Sequence, residues 1–517
     1  MIHLLRSTWL RLRTNLRNPI IRRNVAFYMG GKLLGLALLL AVMWTFLPRV
    51  ASAMAGGAPV ETPTIDAVNT VWTLVAAFLV FCMQVGFVML EAGFARSRES
   101  VNILVEGIAD TCICGILFWA WGFAFMFGRG NAFIGTHGFF LQGFGPTYES
   151  TGIPIFAIWI FQFAFADTAS TITSGAMIGR CGFWGDILYS IGVTGFIYPI
   201  IGHWAWGPDG WLVARNFHDF AGSTVVHSIG GAISLAGAIA LGPRLGRIFK
   251  RDGGGPPPPH DLVIGAVGGL ILWFGWYGFN PGSTLSALDM QGIGRVSFNT
   301  TLAACSGGLT ALFYSYARTK KWDLGLTVNG FLGGLVAITC PCYWVDPVGA
   351  FFIGVVAAFV VALGLDFLEH LRIDDPIGAV PVHLFCGIWG TLSLGFFASG
   401  KYGAATPVGS DTTAGVVTGL FYGGGGTQLL NQLIGSASIV VATLVVSFIM
   451  MYALKIIGVL RVSKEGELEG LDLHEHGASA YPEYALASSA TGVNGHSANM
   501  SSAESELVTS KKTSNKR

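Results

Sequence analysis

An all-α, polytopic membrane protein of eleven transmembrane helices, arranged as a five-plus-five inverted repeat, is the fold class this sequence predicts. Three observations predict it. Of 517 residues, 52% are hydrophobic and 11% charged, against about a quarter charged in a soluble domain. Apolar stretches of about 20 residues, enough to cross a hydrocarbon core of about 30 Å, recur along the chain. Two of those stretches open on the same spaced motif.

The formal net charge of +1 offers no basic excess for nucleic acid and no acidic excess for a metal buffer. The eight cysteines lie mostly inside apolar runs. With no repeated C-x-x-C pair they read as small hydrophobes, and no metal or other cofactor is expected. Glycine is abundant, at 72 residues, which suits helices packed backbone to backbone in lipid.

Residues 1–53 read as a signal peptide. Arg6, Arg11, Arg13, Arg17, Arg22 and Arg23 precede an apolar run from Leu33 to Leu47 and a small-residue site at Ala51-Ser52-Ala53; the long basic region keeps an uncleaved anchor as the alternative. Residues 54–460 form the transmembrane domain, with spans at 67–92, 102–127, 152–178, 184–206, 219–242, 261–281, 298–317, 324–340, 347–366, 376–397 and 429–458. Connections after odd-numbered spans carry Arg96, Arg98, Arg180, Arg244, Arg247, Lys250, Arg251, Arg318, Lys320, Lys321 and Arg372, whereas those after even-numbered spans carry Arg129, Arg215, Arg295 and Lys401. By the positive-inside rule the processed N-terminus lies outside and the C-terminus inside, in a multi-pass protein of the cell membrane. Gly253 to Pro258 reads as a cytoplasmic linker. Residues 461–517 form a cytoplasmic tail whose last forty or so residues hold too few large apolar groups to offset chain entropy, so disorder is expected there.

The motif D-x2-G-x3-VH-x3-G occurs as Asp219, Gly222, Val226, His227, Gly231 and again as Asp375, Gly378, Val382, His383, Gly387. The fifth span starts outside and the tenth inside, as an inverted repeat requires. At about 1.5 Å per residue each histidine lies about 12 Å from its helix start, near mid-bilayer from either side. An ionisable group at that depth marks a functional site unless it is a satisfied core residue, and two at matching depth favour the site.

The stretches Asp219 to His227 (DFAGSTVVH), Gly275 to Ser283 (GWYGFNPGS) and Asp374 to Gly387 (DDPIGAVPVHLFCG) together resemble the ammonium transporter, methylammonium permease and Rhesus family, in its microbial ammonium transporter branch. The likeness runs from about Thr64 to Tyr481. It implies a homotrimer of eleven-helix protomers, each with its own pore for ammonium or ammonia and methylammonium, surrounded by membrane lipid. It implies an outer recruitment site at Trp206, Phe165 and Ser283, an outer gate at Phe279, and a pore pair at His227 and His383. Asp219 is expected to cap its helix and orient the recruitment loop. Aromatic faces suit a compact cation through cation-π contacts of about 0.5–2 kcal/mol.

The chain also departs from that pattern. Ala169 stands where the best-known bacterial members carry a second gating phenylalanine, so the gate is expected to rest on Phe279 alone. Gly179 replaces the usual acidic residue before Arg180. Asp167, Glu106 and Asp110 are outside the family pattern; hydrogen bonding between helices is the simpler reading, with proton or cation handling as the alternative. Thr339, before Cys340-Pro341-Cys342, matches a helix end whose backbone faces the pore. The resemblance implies transport rather than catalysis: ammonium recruited as a cation, deprotonated, and conducted as ammonia past the histidines with an accompanying proton. Alternatives are an ammonium sensor of the same fold or a neutral gas or urea channel. Arg461 to Tyr481 resembles the tail contacted by PII-type nitrogen-signalling proteins.

Overall fold

The computed structural model describes residues 62–403 and 415–482. The chain divides into two units, 1–65 and 66–517, and the architecture below is that of the second. The signal peptide or anchor expected over 1–53 and the end of the tail expected to be disordered lie outside the described residues.

Eleven long helices follow one another. They are α1 (Thr62–Phe94), α2 (Ser100–Leu117, continued to Phe127), α3 (Ile155–Gly175), α4 (Phe183–Trp206), α5 (Ser223–Leu241) and α6 (Leu262–Phe279). Then come α7 (Met290–Thr319), α8 (Leu324–Thr339), α9 (Pro347–Leu371), α10 (Val380–Phe397) and α11 (Thr427–Ile456). Two short helices, α12 (Lys464–Glu469) and α13 (Leu471–His476), follow in the tail. Among the described residues, nine helices are long and apolar enough to cross a membrane. The other two of the eleven are α8, apolar but 16 residues long, and α7, 30 residues long and more polar.

The polar groups of α7 point into the protein. Asn299 donates to the carbonyls of Cys342 and Val345 at 3.0 and 2.9 Å, and Asn280 donates to the Thr300 hydroxyl at 3.1 Å. Arg295 donates to the Tyr343 carbonyl at 2.9 Å and lies over the Tyr343 and Tyr402 rings. Internal partners of this kind let a polar helix sit where water is scarce.

Helix starts explain where the sequence boundaries slip. Asp261, Asp289, Asp323 and Asp346 each accept backbone N–H bonds one turn ahead and cap α6 to α9, a contribution of about 1 kcal/mol apiece. Asp289 moves the start of α7 forward to Met290 from the expected 298. The fifth and tenth spans instead start late, at Ser223 and Val380, because Asp219 and Asp375 stand ahead of the first turn as caps.

Glycines set the helix crossings. A methyl group at Gly93 would collide with the Gly265 backbone, one at Gly268 with Leu90, and one at Gly278 with the Ala76 carbonyl, so α1 and α6 run antiparallel in direct backbone contact. The same holds for α5 and α10, where Gly231 packs on the Leu384 backbone and Gly387 on Ser223 and Ser228. Partner numbers fall as residue numbers rise, so this crossing is also antiparallel. It is reciprocal as well: Ser228 and Leu384 are offset by the same 156 residues that separate the histidines. The repeat read from the motif is therefore an inverted one.

At the end of the bundle that carries the tail, a buried ionic knot joins loops that sequence leaves far apart. Arg244 pairs with Asp374 at 2.8 Å, their side chains 5% and 1% exposed, and Arg247 pairs with Glu369. Burial opposes the charge of Asp374, but the hydrogen bonds from Arg244 and the field of Arg180 outweigh it and hold this carboxyl well below the usual range. Arg180 itself donates to the carbonyls of Gly242 and Asp374 at 2.9 and 2.6 Å. Burial lowers its value to about 10, still charged at neutral pH. Gly179 has φ +79°, and the Glu99 carboxylate, paired with Arg96, occupies the space a side chain there would need. An acid from the start of α2 thus stands where the expected acidic neighbour of Arg180 is missing.

Candidate functional site

Both histidines lie in widened turns at the start of their helices, Ser223–Ser228 and Val380–Phe385. Asp219 accepts four backbone N–H bonds, from Gly222, Ser223, Thr224 and Val225, at 2.9–3.0 Å. Asp375 takes three, from Gly378, Ala379 and Val380, at 2.8–3.0 Å. Gly222 and Gly378 have φ +113° and +83°, a region that glycine enters without a Cβ penalty. The His227 N–H reaches the Gly222 carbonyl at 3.0 Å, five residues back, which is the wide-turn bond. The motif is thus a device for starting a helix wide and turning one histidine inward.

The two imidazoles meet. Their Nδ1 atoms are 3.2 Å apart and their ring centroids 5.3 Å. One Nδ1 must donate and the other accept, so of the two Nε2 atoms one is a donor and the other an acceptor when both rings are neutral. Nε2 of His227 is buried without a hydrogen-bond partner, and His383 is 7% exposed.

Above the histidines the rings form a column. His227 stacks on Phe279 at 5.3 Å, Phe279 on Phe165 at 4.1 Å, and Phe165 meets Trp206 edge-on at 6.2 Å. Phe279 does not stand alone in this column: Phe165, one turn before Ala169 on α3, covers its face. Phe165 and Phe279 are both fully buried. The Ser283 hydroxyl donates to the Phe279 carbonyl at 2.7 Å, leaving its oxygen free to accept. The Trp206 indole donates to the Asp219 carbonyl at 2.8 Å, so Asp219 caps α5 with its carboxylate and orients Trp206 with its backbone.

Thr339 is the last residue of α8. Its carbonyl accepts from Ala221 in the loop before α5, and its hydroxyl accepts from the Trp276 indole of α6 at 2.9 Å, so these groups tie α8 to both. Asp167 lies apart from the column, where it accepts from Thr111 on α2 at 2.9 Å. Trp276 is a site residue the sequence reading missed; it stacks on His227 at 5.1 Å. Its spacing, three residues before Phe279 and so on the same helix face, was the available signal.

Comparison with known proteins places these features in context. The profile of the Ammonium Transporter Family matches residues 71–481. The ammonium transporter Amt2 of Archaeoglobus fulgidus is 42% identical over 438 residues, covering 82% of this chain and 90% of its own. Ammonium transporter 1 member 3 of Solanum lycopersicum is 36% identical over 444 residues, covering 81% and 94%. Among solved structures, a sensor Amt protein superposes with a TM-score of 0.73 at 35% identity over 80% of this chain and 100% of its own. Mep2 of Candida albicans does so with a TM-score of 0.70 at 27% identity, over 78% and 89%.

Proposed function

This chain belongs to the ammonium transporter family, a family of multi-pass membrane transporters of ammonium and methylammonium, and from that premise we propose how it works. Ammonium is recruited at Trp206, Phe165 and Ser283, gives up its proton beneath the Phe165–Phe279 gate, and passes His227 and His383 as ammonia, with a proton accompanying it. The single observation that carries this reading is the His227–His383 contact under a stacked aromatic lid.

The chemistry follows from that contact. Potassium resembles ammonium in size and competes at an aromatic face, so recruitment alone does not select. Ammonium differs in carrying a removable proton, and the desolvation that a narrow apolar passage imposes disfavours every charged form. Beyond the gate, one Nε2–H and one Nε2 lone pair offer ammonia a donor and an acceptor, matching its own lone pair and N–H bonds. Potassium has neither to exchange.

We read all eleven helices as spanning, with the N-terminal end of the domain outside and the tail inside, and the protein as a homotrimer. Segment Arg461 to Tyr481, held to the bundle by the buried Glu467 and Leu471, is the segment we assign to a PII-type partner. The test is ammonium-evoked current in liposomes holding purified protein, with methylammonium as competitor and potassium as control. A saturable ammonium-dependent current that methylammonium competes for, absent with potassium, is expected. Absence of any ammonium flux would overturn the reading.

A further inference from the structure

His203 lies on α4 one turn before Trp206, fully buried and apart from the paired histidines. Both of its ring nitrogens have partners: Nδ1 is 2.8 Å from the Met126 carbonyl and Nε2 is 2.9 Å from the Asn131 carbonyl. A carbonyl oxygen only accepts, and a neutral imidazole has one N–H and one lone pair. Either neutral tautomer would therefore satisfy one carbonyl and turn a lone pair on the other, leaving a buried acceptor unmatched. The imidazolium, with an N–H on each nitrogen, fits both distances.

The surroundings favour that charge. The Met126 carbonyl belongs to the last turn of α2, where carbonyls have no partner within the helix, and His203 sits in the last turn of α4. The negative ends of two helix dipoles thus converge on one ring. Gly207 leaves room for it: a methyl group there would lie 2.1 Å from Nδ1. Among the described residues no carboxylate is within ion-pairing distance of His203. The charged and titratable groups on the neighbouring segments are engaged elsewhere. Arg129 pairs with Glu149 at 2.8 Å and lies 3.8 Å from Asp209, His137 meets the Arg129 carbonyl at 2.9 Å, and Tyr148 donates to the Phe127 carbonyl at 3.4 Å. Asp219, at the start of α5, is taken up by its four backbone N–H bonds.

The bonds of His203 complete a collar around the end of α4. The loop between α2 and α3 is fixed there at three further points. The Trp204 indole donates to the Phe133 carbonyl at 3.1 Å, the Trp211 N–H to the Ala132 carbonyl at 3.1 Å, and the Gly130 N–H to the Asp209 carboxylate at 2.9 Å. His203 is the fully buried member of this set, and its helical turn carries Trp206.

We infer that His203 is held as an imidazolium at neutral pH, that it pins the end of α2 and the following loop to the last turn of α4, and that this pin positions Trp206 to receive ammonium. His203 is a positioning residue, acting through the turn it shares with Trp206. The part played by Trp206 rests on the recruitment reading above; the charge on His203 rests on the two carbonyl contacts.

Nitrogen-15 magnetic resonance of the full chain in lipid, labelled at histidine, reads the charge without transport. At neutral pH, where an exposed histidine is mostly uncharged, a histidine protonated on both ring nitrogens is expected, its signals lost in His203→Gln and shifted in Gly207→Ala. The second readout is ammonium-evoked current against ammonium concentration, in liposomes of matched folded protein. His203→Gln removes the charge, and Gly207→Ala drives a methyl group at the ring without removing it. Both should raise the half-saturating ammonium concentration about 2- to 30-fold, the span of a lost cation-π contact, with saturating current retained. Absence of a doubly protonated histidine that responds to these substitutions overturns the charge. An unchanged half-saturating concentration in both variants, or a fall in saturating current alone, overturns the positioning role. Trp206→Ala separates the two readings: if it leaves the half-saturating concentration unchanged, the recruitment reading fails and the positioning role with it, while the resonance still decides the charge.

Discussion

Replacing His227 by alanine removes three contacts at once. It strips the Nδ1 partner from His383, 3.2 Å away, and an unmatched polar group at that depth costs about 1–3 kcal/mol. It also removes the rings stacked on Trp276 at 5.1 Å and Phe279 at 5.3 Å, worth about 0.5–1.5 kcal/mol each. Together these predict a destabilisation of about 2–6 kcal/mol, read as a lower melting temperature in detergent or lipid. Function should fall further than stability. With no paired donor and acceptor below the gate, ammonium-evoked current per folded protein should be lost, and His383→Ala should behave alike. His227→Asp places a carboxylate in the passage and should admit potassium. The assay is current in liposomes of matched protein content, with ammonium and potassium applied separately. Full, ammonium-selective current in both alanine variants would refute the reasoning and leave the histidines as packing residues.

Three further outcomes are expected. Phe165→Ala uncovers one face of the 4.1 Å stack on Phe279; losing about 0.5–1.5 kcal/mol of ring contact should raise opening about 2- to 12-fold, seen as faster leak or altered methylammonium discrimination, and Phe279→Ala should do the same. Gly231→Ala drives a methyl group into the Leu384 backbone; overpacking of about 1–3 kcal/mol should lower the melting temperature and the current together by forcing α5 from α10. Asp374→Asn breaks the buried pair with Arg244 and should cost about 3–5 kcal/mol at neutral pH. Because the folded carboxyl lies below its unfolded value, the stabilisation is present above the ordinary carboxylate range and is lost as pH falls below about 4 toward the folded value. Melting temperature followed from pH 7 downward should therefore show the gap between parent and variant closing only in that acid range.

The sequence by itself determined the fold class, most of the helices and the pairing of the two histidines, because those depend on properties local in the chain. Apolar run length sets what can cross lipid, and most spans recur as helices close to their expected ends. The two copies of D-x2-G-x3-VH-x3-G placed His227 and His383 at equal depth, because cap, glycine and histidine act within two turns. Tertiary structure decided the rest. His227 and His383 meet because α5 and α10 cross at Gly231 and Gly387, a contact between residues far apart in sequence. That Phe165 rather than a residue at Ala169 closes over Phe279, that Trp276 backs His227, and that Asp167 belongs with Thr111 depend on how α2, α3 and α6 are rotated about their axes. Nearly every face of these helices is apolar, so periodicity holds little record of that rotation. Close packing at glycines and the partners demanded by buried polar groups fix it.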